Sequence, residues 1–180
     1  MKSKNIHFSN HRGERLAATL DLPEDESPIS YALFAHCFTC TKSIKAAVNI
    51  AAALNREKIA VLRFDFTGLG QSEGTFADTN FSTNVADLIL ASEYLSREFQ
   101  PPQIIIGHSL GGAAVIQAAE KIPSLRAVVT IAAPHDPGHV AHHFENMRQQ
   151  IQEHGSAEVN LAGRKFTIKR QFLEELEMQK

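Results

Sequence analysis

A chain of 180 residues is one domain's worth of polypeptide, long enough to bury a sizeable core. Hydrophobic residues make up 43% and charged residues 21%, ordinary for a soluble globular protein, and the formal net charge is −2. Without a basic excess, nucleic acid and anionic membranes are not expected partners. No signal-peptide core follows residues 1–5 and no apolar run is long enough to span a bilayer, so a cytoplasmic location is expected.

In chain order, residues 6–8 and 16–22 read as two strands around a turn at 10–13, and the second stops at Pro23 before an acidic loop at 24–28. Residues 31–35 form a short apolar strand ending in His36. Cys37 and Cys40 follow as C-x-x-C, then a helix is predicted over 43–55 from Ile44, Ala47, Val48 and Ala51 on one face. The next buried strand, 59–64, closes on Asp65, and 67–78 is a polar, glycine-rich loop. Phe81, Val85, Leu88, Ile89 and Leu95 repeat at helical spacing over 81–99, stopped before Pro101 and Pro102.

Residues 103–117 read Q-I-I-I-G-H-S-L-G-G-A-A-V-I-Q: an apolar β-branched run, a sharp turn, then helical composition. The G-x-S-x-G pattern in that setting is a nucleophile elbow, made by Gly107, His108, Ser109 and Gly111. Side chains at positions 107 and 111 would collide with neighbouring backbone, and Gly112, Ala113 and Ala114 let the helix approach the sheet. Ser109 then sits at a helix N-terminus, where free N–H groups favour negative charge. The helix is expected to reach Ile122, and a strand follows at 127–132.

Strands apolar on both faces and alternating with helices predict a doubly wound, mostly parallel α/β sheet covered by helices on both sides. His36, Asp65, Ser109 and His135 would all lie at the C-terminal ends of its strands, the edge where ligands bind in such sheets. Past Pro134 the rhythm changes. Asp136 caps a helix with Pro137 in its first turn and an apolar stripe of Val140, Phe144, Met147 and Ile151. A hairpin over 158–168 turns at Ala162 and Gly163, and a charged helix over 169–180 points Phe172, Leu173 and Leu176 inward. The expected division is a core at 1–136 and a partial cap, or lid, at 137–180.

An activated serine needs a base for its proton and donors for the developing oxyanion. The expected donors are the backbone N–H groups of Leu110, directly after Ser109, and of Phe38, in the loop after the third strand. The base is harder to find. His135 could approach Ser109, but Asp136 beside it in sequence is badly placed to orient the imidazole, and a rim histidine is the simpler reading. His139 and His143 have the i, i+4 spacing of two metal ligands, yet H-E-x-x-H is absent and a polar helix start explains them; no metal is assigned. His108 packs or orients the turn. Gly68-x-Gly70 lacks the third glycine of a dinucleotide loop, since Glu73 stands there; a rim loop ordered by Asp65 is preferred and no cofactor is expected. Cys37 and Cys40 read as small residues in a tight loop, with a redox pair the alternative.

Residues 36–40 (H-C-F-T-C), 64–74 (F-D-F-T-G-L-G-Q-S-E-G) and 107–114 (G-H-S-L-G-G-A-A) resemble the α/β-hydrolase superfamily in order and spacing. Their wording, with residues 166–169 of the cap, is similar to one subgroup whose hydrolase domain is often fused to an OsmC-like, peroxide-detoxification domain. The resemblance implies a serine hydrolase acting on a small ester-like substrate, with an OsmC-like domain as a fused or separate partner. It also implies an acid and a histidine on two strands beyond the cap. No residue of this chain matches either position, so the C-terminal strands of the fold are expected to be missing here. Two further functions stay open: a non-catalytic remnant or binding module, and a redox role for Cys37 and Cys40 linked to OsmC-like peroxide defence. An uncovered apolar strand at 127–132 would favour a homo-oligomer.

Overall fold

The alternation of apolar residues along the central strands dictates a sheet buried on both sides. In β3 (Ser30–Ala35) Ala32 and Phe34 face one layer and Leu33 and Ala35 the other; in β4 (Ile59–Phe64) Val61 and Leu62 divide the same way. The computed structural model describes residues 2–24, 27–161 and 163–178; Asp25 and Glu26 of the expected acidic loop, Ala162 of the expected hairpin turn and the last two residues of the helix expected over 169–180 lie outside them. A six-stranded sheet runs in the order β1-β2-β4-β3-β5-β6, with β1 (Lys2–Ser9), β2 (Arg15–Leu22), β5 (Ile104–His108) and β6 (Ala127–Ile131). The β1–β2 and β2–β4 pairs are antiparallel and the others parallel. This is the mostly parallel α/β arrangement that the sequence predicts.

Helix α1 (Lys45–Arg56) lies on one face, burying Ala47 and Ala51 against Ala32, Phe34, Val61 and Ile106. On the other face lie α2 (Phe81–Glu98) and α3 (Leu110–Ala119), which share the larger core with Leu33, Leu62, Phe64 and Ile105. Helix α2 starts at a capping box: Asn80 Oδ1 accepts from Thr83 N at 2.9 Å, and Asn80 N donates to Thr83 Oγ1 at 2.8 Å. Helix α3 ends at Ala119, short of the expected Ile122: residues 120–121 form a turn, with Lys121 N donating to Ala118 O and Ile122 N to Ala119 O. Among the described residues no helix is long and apolar enough to cross a membrane.

The segment after Asp136 departs from the sequence reading in its local geometry. Asp136 does cap it, accepting from Gly138 N at 2.7 Å, but Pro137–Met147 is a 3-10 helix with a non-helical kink at Phe144, followed by a short α4 (Arg148–His154). The kink lets Val140, Phe144 and Ile151 all reach the core although the helix is not continuous. The hairpin β7 (Ser156–Leu161) and β8 (Arg164–Lys169) and helix α5 (Arg170–Met178) follow as expected, with Phe172, Leu173 and Leu176 buried. This C-terminal assembly docks over the start of α2: Glu175 accepts from Ser82 N at 2.5 Å, Lys169 pairs with Asp78, and Phe166 packs edge-on against Phe76. It does not cover β6. There Val128 and Val129 are 43% and 42% exposed, so the expected apolar edge is present.

Candidate active site

Strand β5 runs straight into the turn that carries Ser109, and α3 begins on the next residue. Ser109 has φ 55° and ψ −124°, a conformation costly for any residue with a Cβ. The turn is enforced from both sides. A Cβ at Gly107 would lie 2.3 Å from the Gly111 carbonyl oxygen, and one at Gly111 would lie 2.4 Å from the His36 carbonyl oxygen. Ser109 N donates to Ile131 O at 2.9 Å, tying the turn to β6. The Ser109 side chain makes no capping bond to α3; Gly112 N and Ala113 N donate to Ser109 O at 2.8 and 3.3 Å, while the N–H groups of Leu110 and Gly111 precede the first acceptor of the helix. Of the other turn residues, His108 is half-buried, and its Nδ1 is buried without a hydrogen-bond partner among the described residues.

Opposite Ser109 stands the loop after β3. The two cysteines do sit in a tight loop, and there Cys37 and Cys40 are joined by a disulfide, with Cα atoms 5.3 Å apart. The tightness of the loop is what brings them together, since Cys40 N donates to Cys37 O at 3.1 Å across the same turn. Between them Phe38 points its ring into an aromatic cluster with Phe76 and Phe172, at centroid distances of 5.7 and 5.5 Å. Thr39 has φ 57°, and its carbonyl oxygen accepts from the guanidinium of Arg164, which reaches in from β8.

Two buried polar arrangements hold this loop from below. His36 is buried, which drives its pKa from 6.5 to about 4, although the Cys37 carbonyl and Asp65 favour its protonated form. The neutral ring fits its contacts: Nδ1 donates to Cys37 O at 2.9 Å while Nε2 accepts from Phe66 N at 3.4 Å. Asp65 orders the rim loop as the sequence suggests, accepting from Lys42 N at 2.6 Å, Lys42 Nζ at 2.5 Å and Gln71 N at 3.0 Å. Lys42 Nζ also donates to Gln71 Oε1 at 2.8 Å, and the Lys42 carbonyl accepts from Arg63, itself paired with buried Asp21 at 2.6 Å. On the far side of the rim loop Asp87 accepts from Thr67 N and Oγ1, and burial raises its pKa to about 6 against those bonds.

Ser109, Leu110 and Phe38 share one cavity of about 610 Å³. Cys37 and Thr39 complete the loop wall, and Ala132, Ala133 and Pro134 after β6 form another. The C-terminal segment supplies the roof through His139, Val140, His143, Asn160 and Leu161. His135, the rim histidine considered as a base, is exposed and is not among the lining residues. His139 and His143 both line the cavity, but the i, i+4 spacing considered for a metal does not pair them because the segment is 3-10: the rings in contact are His139 and His142, edge-on with centroids 5.1 Å apart, as three residues per turn favours. Among the described residues no group of three or more His, Cys, Asp or Glu side chains could hold a metal ion, and neither cavity histidine has a carboxylate hydrogen-bonded to it. Lys42, Arg164 and Asn160 escape the sequence reading; none belongs to a motif, and each meets its partners only through the fold.

A family model described as serine aminopeptidase, S33, matches residues 34–173, from the end of β3 to the middle of α5. The esterase domain of a Rhodothermus marinus protein is 50% identical, covering 99% of this chain and 69% of that one, with a TM-score of 0.72. Mouse alpha/beta hydrolase domain-containing protein 10 is 22% identical over 98% of this chain and 70% of that one, with a TM-score of 0.76. Est1E from Butyrivibrio proteoclasticus, solved with ferulic acid bound, is 21% identical over 97% and 71%, with a TM-score of 0.74. The last two likenesses concern the fold alone. No curated protein matches the chain at a significant level. With its mostly parallel sheet and its strand-turn-helix at Ser109, the chain belongs to the α/β-hydrolase family described as serine aminopeptidase, S33.

Proposed function

We propose that this chain carries the nucleophile and oxyanion hole of a serine hydrolase acting on small carboxylic esters. Ser109 Oγ attacks the ester carbonyl, and the backbone N–H groups of Phe38 and Leu110 receive the oxyanion. The carrying observation is that Ser109 stands at the strained N-terminus of α3, in the same cavity as both donors.

The family description would also admit peptide substrates with a free amino terminus. Such a substrate presents an ammonium group, and a site that selects it needs a carboxylate. Among the described residues the cavity lining contains no Asp or Glu, which supports an ester over an α-amino substrate, as does the 50% identity to an esterase domain. The ester site is proposed to lie in a protein of the cytoplasm, with an OsmC-like domain as its partner.

Acylation needs a proton acceptor as well as an oxyanion hole. Among the described residues neither His139 nor His143 has a carboxylate that would orient its ring, so the expected turnover of this chain alone is several orders of magnitude below that of a complete triad. The same observation favours a second reading, a binding module that uses the cavity without chemistry. A fluorophosphonate probe separates them. Slow labelling that vanishes in Ser109→Ala supports the hydrolase; no labelling at any probe concentration supports the binding module. Faster cleavage of an amino-acid anilide than of 4-nitrophenyl acetate would overturn the ester assignment.

A further inference from the structure

The Cys37–Cys40 bridge is poorly placed to stabilise the fold at large. It spans two intervening residues, and closing so short a loop restricts the unfolded chain least. The two cores are formed by strands and helices that the bridge does not join. It does enclose Phe38 and Thr39, the segment that faces Ser109. Both cysteines are half-buried rather than sealed, and Cys37 lines the cavity that holds Ser109.

Thr39 supplies the second observation. Its φ of 57° is unfavourable for a residue with a branched Cβ, and two contacts hold it there: the bridge that closes around it, and Arg164 on its carbonyl. With the bridge open, Thr39 can return to negative φ. That rotation turns the Phe38–Thr39 peptide, and through the Phe38 backbone it re-aims the adjoining Cys37–Phe38 peptide that carries the Phe38 N–H. The Cys40 N to Cys37 O bond goes with it, and Cys37 O is also the acceptor for His36.

We infer that Cys37–Cys40 is a thiol–disulfide exchange site, reached through the Ser109 cavity, at which a small dithiol sets the reactivity of the site. One thiolate of the dithiol attacks Cys37 Sγ and forms a mixed disulfide as Cys40 leaves as a thiolate. The second thiol of the reagent then displaces Cys37 and closes its own disulfide. Two electrons pass from the dithiol to the bridge, and Cys37 and Cys40 each end as a thiol after protonation. The bridged state is the one that presents Phe38 N–H to Ser109. The inference rests on the ester-hydrolase reading only for its reactivity readout.

The test equilibrates the native chain in reduced and oxidised dithiothreitol and follows three quantities. These are free thiols, amide hydrogen exchange of residues 37–42, and the rate of fluorophosphonate labelling at Ser109. Without denaturant, both cysteines should become titratable, and exchange should rise in 37–42 while β3, β4 and α2 stay protected. Labelling should slow about 100-fold or more and recover on reoxidation, the scale of losing one oxyanion donor. Cys40→Ser should behave as the reduced chain and ignore the redox buffer. If wild type labels in neither state yet exchange in 37–42 still responds, the hydrolase reading fails and the switch stands. Thiols that appear only with global unfolding, or exchange and labelling equal in both states, would overturn the inference.

Discussion

On the β3–β4 side of the cavity the polar groups are held in place. Cys37 is bridged to Cys40, Thr39 O is taken by Arg164, and Asp65 and Lys42 brace the loop from beneath. On the β6 side the wall is Ala132, Ala133 and Pro134, His135 points to solvent, and β6 exposes Val128 and Val129. Oxyanion stabilisation depends on donors fixed before the reaction begins, and the first side provides that kind of rigidity. Proton transfer depends on a base oriented by a third group, and among the described residues the second side provides none. Under the proposed function, the contrast predicts a serine with its oxyanion donors in place and only slow turnover.

The largest expected effect comes from breaking the braced side. Lys42→Met leaves the Asp65 carboxylate buried without its cation, 1% exposed as a side chain. Unfolding in urea should show a loss of about 3–5 kcal/mol, whereas a loss under 1 kcal/mol would mean that the pair is not bracing the loop. Acid comes next. His36 is neutral in the fold with a pKa of about 4, against 6.5 when unfolded, so the unfolded chain takes up its proton first. Its contribution to stability is therefore complete above pH 6.5 and falls by roughly 3 kcal/mol as the pH drops to about 4.

Asp87 works in the opposite sense. Its raised pKa of about 6 favours folding below its ordinary 3.8, and that advantage is lost as the pH rises through 6. The two nearly cancel between pH 4 and 6. Asp87→Asn should remove the cancellation and make stability over that window fall on acidification by about 3 kcal/mol more than in wild type. Parallel pH profiles for the two proteins would contradict this.

Arg164→Ala tests the roof's hold on the oxyanion loop. It should cost about 1–3 kcal/mol of stability and slow labelling of Ser109, while Arg164→Lys, which keeps the charge, should restore part of both. The smallest effect on stability belongs to the other side. Val129→Lys on β6 should change unfolding by under about 0.5 kcal/mol. It should nonetheless reduce self-association in sedimentation, because a charge blunts an apolar edge. A wild-type chain that is monomeric at high concentration would remove the basis for that expectation.

The sheet was legible because its signals are local. Doubly buried strands such as 31–35 and 59–64 are short apolar runs between turns, and the elbow compresses strand, turn and helix into a dozen residues. The Pro137–Met147 segment was not, since Val140, Phe144, Met147 and Ile151 are spaced as an α-helix would space them, while the chain bends at Phe144 to bring them to the core. C-x-x-C spacing suits a bridged pair and an unbridged one alike; the turn between Cys37 and Cys40 decides. Arg164 reaches Thr39 from 125 residues away, a pairing that neither residue's neighbours announce. Asp21 and Arg63 lie within apolar strands and have opposite charge, so that buried pair could have been found from the sequence.

The central claim is that Ser109 is a nucleophile served by the Phe38 and Leu110 amides. Intact-mass and peptide analysis after exposure of the bridged chain to a fluorophosphonate tests it most directly. The account predicts one slow-forming adduct on Ser109, lost in Ser109→Ala. An adduct on another residue, or unchanged labelling in that variant, would contradict it.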